Sequence, residues 1–105
     1  MDGQAVVVAL PAEIDVTNSD EVLATLTRSL TPGVSVVIAD MTATVFCDTS
    51  GVRALVTAHQ DAAARDAELR FAIPEGESVR RVLELTGIIR VLPVYASLDE
   101  ARWGS

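Results

Sequence analysis

Three consecutive oxygen-bearing side chains, Asp48, Thr49 and Ser50, are followed by Gly51, directly after the apolar tripeptide Val45-Phe46-Cys47. All three are residue types that cap helix N-termini, because their oxygens accept hydrogen bonds from backbone N–H groups that the first turn leaves unpaired. One reading of this turn is therefore a helix start with a redundant cap. The other is chemical. A hydroxyl at an exposed helix N-terminus is a good phosphoacceptor, since free N–H groups and the positive end of the helix dipole stabilise added negative charge. A phosphate brings roughly −1.5 to −2 charges. Beside Asp48, and near Asp15, it would repel an acidic partner surface and break a complex without unfolding the domain.

Other reactive residue types are sparse and have simpler readings. Cys47 adjoins the turn, where a helix N-terminus can lower a thiol pKa, so a redox sensor is one reading. A small buried hydrophobe at a strand end is the other. His59 falls on an apolar helix stripe with no second His in the chain, and a metal site there lacks ligands. It also lies about three turns from Cys47, too far for a nucleophile pair. Glu13 and Asp15 stand two apart without the surroundings of a glycosidase cleft or metal cluster. No Gly-rich phosphate cradle occurs, which argues against nucleotide hydrolysis. Trp103 is most simply a packing residue, and an exposed Trp would mark an interaction surface.

The elements that must position the turn follow from periodicity. Ala5–Leu10 is a continuous apolar run closed by Pro11, short enough for a buried strand. Asn18 and Glu21 resemble a capping box for a helix with Val22, Leu23, Leu26 and Leu30 on one stripe. Val34–Ala39 reads as a second strand. From Thr49 to about Arg65 the spacing is helical, with Val52, Leu55, Val56, His59 and Ala63 sharing a face. Leu69–Ile73 reads as a third strand, followed by a short helix from Glu77 or Ser78 with Val79, Val82, Leu83 and Leu85 mostly inward. Gly87 sits where a left-handed cap belongs. Val91–Tyr95 reads as a fourth strand, held to an edge by Pro93, and Ser97 with Glu100 forms a capping box for a last helix. Such alternation predicts an α/β fold with a mostly parallel sheet of four to five strands and about four helices. Ligands and partners of such sheets engage where strands give way to helices, which again selects the turn and Asp15.

Composition limits the function classes. A chain of 105 residues, half of them hydrophobic, suits one domain spanning 1–105 and excludes a disordered reading. The formal charge of −7 argues against binding to nucleic acid or anionic membranes. Arg80-Arg81 reads as a solvated pair. A lone Cys excludes an intrachain disulfide, and no apolar run reaches the length of a spanning helix. The expected compartment is the cytoplasm, and no cofactor is implied.

Several blocks carry a resemblance. Leu10-Pro-Ala-Glu-Ile-Asp15, Val37-Ile-Ala-Asp40, Phe46-Cys-Asp-Thr-Ser-Gly-Val-Arg-Ala-Leu55 and Val82-Leu-Glu-Leu-Thr-Gly-Ile88, followed by Leu92-Pro-Val-Tyr95, resemble the successive blocks of STAS domains. Within them the chain is most similar to bacterial anti-sigma factor antagonists. The resemblance implies a non-enzymatic switch: the unphosphorylated form binds an anti-sigma factor that is also a serine/threonine kinase and so frees a sigma factor for transcription. The kinase phosphorylates the antagonist and a separate phosphatase restores it. Carried over, the acceptor falls on Thr49, where the family more often has Ser, with Ser50 the second choice. Asp15, Asp48, Thr49, Ser50, Gly51 and Val52 are the implied partner-binding residues. STAS domains also serve as unphosphorylated subunits of transport or stress-sensing assemblies, which is the alternative reading.

Overall fold

The computed structural model describes residues 4–104. Along the chain run β1 (Gln4–Ala9), β2 (Glu13–Ile14), α1 (Ser19–Arg28), β3 (Val34–Asp40), β4 (Phe46–Cys47), α2 (Thr49–Ala64), β5 (Glu68–Ala72), α3 (Ser78–Thr86), a 3-10 turn (Ile88–Arg90), β6 (Val94–Tyr95) and α4 (Leu98–Trp103). The main sheet has the order β1-β3-β5-β6, and every pairing in it is parallel. β2 and β4 form a second, two-stranded parallel ribbon. The expected α/β fold with a mostly parallel sheet and four helices is what the chain adopts.

The centre of the sheet explains its sequence. Val37, Ile38 and Ala39 of β3 are consecutive and all fully buried. Helices cover both faces there, so a continuous apolar run replaces alternation. Val37 and Ala39 join the large core with Leu26, Leu55, Phe71 and Leu83, while Ile38 packs with Ala72 and Ala101 under α4. Arg70 fastens α4 by donating from Nη1 to the Ala101 carbonyl at 2.7 Å, a cation at a helix C-terminus.

Other elements depart from the periodicity, each for an identifiable reason. β1 is an edge strand and not a buried one: Ala5, Val7 and Ala9 are exposed. Asn18 is no side-chain cap. Its Oδ1 accepts from the Asp15 N–H at 3.0 Å and its Nδ2 donates to the Glu13 carbonyl at 2.8 Å, so the side chain closes the β2–α1 loop instead. In α2 the inward face is Gly51, Ala54, Leu55, Ala58 and Ala62. Val52, Val56 and His59 are half-buried and Ala63 is exposed. Small side chains let the helix lie close to its neighbours, and the bulkier valines fall on its flank.

In α3 only Val79 and Leu83 are buried, whereas Val82 is partly exposed and Leu85 is 74% exposed. Residues 79 and 83 are four apart and share a face, while Leu85 points away from it. Arg80 is not solvated: its Nη1 donates to the Ile73 carbonyl at 2.7 Å. Pro93 lacks an N–H, so β6 is only Val94–Tyr95, and Val91 stays exposed outside it. Trp103 is 77% exposed and so is not a packing residue. Gly87 takes the left-handed cap conformation at φ 80°, and the Ser97 Oγ accepts from the Glu100 N–H at 3.1 Å, both as the sequence predicts.

Candidate functional site

The Asp48 turn is held from behind by the β2–β4 ribbon. Thr44, buried between the β1–β2 and β3–β4 connections, donates its hydroxyl to the Pro11 carbonyl at 2.8 Å. The Val45 N–H donates to the Ala12 carbonyl at 2.7 Å, and β4 then pairs Phe46 with Glu13 and Cys47 with Ile14. The last rung is the Asp48 N–H donating to the Ile14 carbonyl at 3.1 Å. Asp15, the next residue, is thereby brought beside the turn.

Asp48 is the N-cap of α2. Its Oδ1 accepts from the Gly51 N–H at 3.0 Å and its carbonyl accepts from the Val52 N–H at 2.9 Å. The capping reading therefore falls on Asp48 alone, and the hydroxyls of Thr49 and Ser50 are not needed for it. Thr49 is exposed and Ser50 is half-buried. They face different clefts: Ser50 lies with Val16, Asp20 and Leu23 towards α1, whereas Thr49 lies on the α3 side with Val52 and Val56. Arg53 stands one turn after Thr49 and is exposed, at the spacing where side chains on a helix meet.

Gly51 is fixed by space rather than by backbone torsion. A Cβ at this position would lie 2.5 Å from the Cys47 Sγ and 2.9 Å from the Ile14 Cγ2. The first turn of α2 therefore presses on the ribbon at Gly51 and shows its opposite side, Thr49, to solvent.

Asp15 has a structural task of its own. Its Oδ1 accepts from both the N–H and the hydroxyl of Thr17, while its carbonyl accepts from the Ser19 N–H at 2.8 Å. The hydroxyl and the N–H of Thr17 hold the carboxyl below its ordinary value. Its negative charge stands beside the Asp48 turn, since the Ile14–Cys47 pair immediately precedes both acids.

Cys47 is buried, and that burial, with the Asp48 carboxylate next to it, pushes its thiol up to about 11. This is the buried-hydrophobe reading and not the sensor, whose thiolate would have to form near neutrality. His59 is half-buried with Nδ1 unpaired, and among the described residues no group of three potential metal ligands occurs.

Beyond the turn lies an open groove of about 730 Å³ between α2 and α3. Asp48, Thr49 and Arg53 stand on its polar side, and Phe46, Val52, Val56, Val82 and Ile88 give it an apolar floor and walls. Phe46 is 49% exposed, and Val45 beside it and Leu85 beyond Val82 extend the apolar surface. Exposed apolar area of this kind makes the groove a candidate binding surface. Periodicity missed it because Val82 and Leu85 fit a core stripe as well as a surface one. The only signal available was Phe46, one of two phenylalanines in the chain, directly before the turn.

Comparisons with known proteins agree with the fold. The profile described as the STAS domain matches residues 2–101. An anti-sigma factor antagonist from Mycobacterium paratuberculosis superposes with a TM-score of 0.82 at 20% identity, over 95% of this chain and 84% of that one. A sulfate transporter family protein from Wolinella succinogenes gives 0.79 at 18% identity, over 92% and 80%. The Bacillus cell fate determinant SpoIIAA in its phosphorylated form gives 0.62 at 19% identity, over 92% and 86%. No curated protein matches significantly. At these identities the solved structures speak for the fold.

Two outcomes follow from the packing. Gly51→Ala should lower stability in urea titration by about 1–3 kcal/mol, because Cys47 and Ile14 must move, whereas Ser50→Ala should change it by less than about 1 kcal/mol. For Cys47 the folded thiol ionises above its ordinary 9.0. Above pH 9 the unfolded thiol loses its proton first, so this contribution to stability is whole below pH 9 and is lost as pH rises towards 11. A fall in the urea midpoint over that window that Cys47→Ala lessens would bear this out. A decline identical in the variant would refute it.

Proposed function

The chain belongs to the STAS domain family, and on that premise we propose that it is an anti-sigma factor antagonist switched by phosphorylation of Thr49. In its unphosphorylated form it binds an anti-sigma factor with serine/threonine kinase activity and so releases a sigma factor for transcription. The kinase transfers a phosphoryl group to the Thr49 hydroxyl, and a phosphatase removes it with water. The chain itself works by binding and catalyses neither step. Its expected compartment is the cytoplasm, and no helix among the described residues is long and apolar enough to cross a membrane.

The observation that carries this reading is the position of one hydroxyl. Thr49 is exposed at the first position of a sixteen-residue helix, freed from capping by Asp48, on the rim of an apolar groove. Negative charge is tolerated there by the free N–H groups and the dipole of α2, so the fold should accept a phosphate with little strain. A docked partner would meet both the volume of the phosphate and its charge, placed beside Asp48 and near Asp15. Ser50 is the weaker acceptor because it is half-buried and turned towards α1. The likeness to SpoIIAA in a phosphorylated form supports the same direction.

Mass-spectrometric phosphosite mapping tests this on protein purified from its own source, wild type beside Thr49→Ala. The expected result is a phosphate on Thr49 that disappears in the variant, with Ser50 unmodified. A turn that carries no phosphate under any growth condition would overturn the switch and favour a constitutive docking subunit of a larger assembly.

A further inference from the structure

Arg53 is the one cation among the residues that line the α2–α3 groove. Other arginines of the chain have structural employment: Arg70 donates to the Ala101 carbonyl and pairs with Glu68, and Arg80 donates to the Ile73 carbonyl. The Arg53 guanidinium has neither an ion pair nor a hydrogen bond among the described residues. Asp20 of α1 shares the adjoining cleft with Arg53 without pairing to it. Asp48 has its Oδ1 taken by the Gly51 N–H.

Thr49 and Arg53 are four residues apart on the unbroken α2, and both are exposed. Side chains at that spacing meet, and an acid placed before a base is the favoured order. Helical side chains lean towards the N-terminus, so the stem of Arg53 points back over the turn that carries Thr49.

We propose that Arg53 is the built-in counter-ion of a phosphate on Thr49, folding back along α2 to hold it over the mouth of the groove. The inference rests on the reading of Thr49 as the modified residue. The guanidinium fork matches a phosphate and bonds to it more strongly than a neutral donor does. Every other charged group facing this position repels the phosphate. Asp48 is its neighbour, Asp15 stands beside the turn on the β2–α1 loop, and Asp20 lies on α1. Val82, Thr86 and Ile88, which line the groove from α3 and the 3-10 turn, carry no charge. Repulsion by the acids and attraction by Arg53 therefore act in the same direction. The pairing also changes the rim of the groove. Unmodified, the charges of Asp48 and Arg53 balance. With the phosphate in place the rim carries roughly −1.5 to −2, and its cation is withdrawn from any acidic group of a partner.

Phosphorus NMR tests this on chain that carries a phosphate on Thr49 installed during synthesis, titrated from about pH 5 to about pH 8 across the usual second phosphate pKa of about 6. No kinase is involved, so the result is independent of whether the cell modifies Thr49, which phosphosite mapping answers. An ion pair favours the dianion. The phosphate should therefore lose its second proton about 0.3 pH unit or more lower in wild type than in Arg53→Gln. Arg53→Lys keeps the charge and should restore at least about half of that difference, and about 1 M NaCl should shrink it. Arg53 is exposed, so both variants should keep the wild-type circular dichroism spectrum. Identical titrations of wild type and Arg53→Gln, a difference that Arg53→Lys does not restore, or one that salt leaves unchanged would each overturn the proposal.

Discussion

The contact between the first turn of α2 and the β2–β4 ribbon governs the rest of the site. Gly51 has no side chain, and Cys47 and Ile14 occupy the space where a Cβ would go. The Asp48 N–H closes the ribbon on the Ile14 carbonyl, and the Asp48 carboxylate turns back to cap the helix. These contacts fix the start of α2 in position and rotation. Once Gly51 faces the ribbon, the helical period sends Thr49 to solvent on the α3 side and Ser50 towards α1.

This division separates packing from chemistry within four residues. The side that presses on the ribbon is apolar, tight and intolerant of added volume. The opposite side offers a hydroxyl, a capping carboxylate and Arg53 around the mouth of an apolar groove. On the proposed reading, a charged group added at Thr49 changes what a partner meets and leaves the Gly51 contact as it was, so the switch would act on binding and not on folding. Asp15 is tied to the same place because β2 pairs with β4 immediately before both acids.

Much of this was readable from residue types whose effects are local. Asp48 as a cap, Gly87 at φ 80° and Ser97 over Glu100 depend on backbone geometry within a few residues, and the order of apolar runs predicts the alternating fold. Failures came where burial is decided by distant neighbours. Nothing in Ala5–Leu10 tells a strand covered on both sides from one at an edge, since only the sheet order settles it. The α2 stripe is rotated because alanines allow a closer approach than valines, and hydrophobic spacing weights the larger residues. Val82 and Leu85 pair with no core at all, so the groove appeared only with α3 in place. Asn18 looked like a cap but spends both side-chain groups on the β2–α1 loop.

The central claim is that a phosphate at Thr49 controls binding through the surface alone. Calorimetric titration of the kinase-type anti-sigma factor with the unmodified chain, and with chain phosphorylated stoichiometrically at Thr49, measures this directly. The account predicts affinity at least about tenfold lower for the phosphorylated form, about 1.4 kcal/mol or more, with the two forms melting within a few degrees of each other. Equal affinities, or a phosphorylated form that loses binding only because it unfolds, would contradict it.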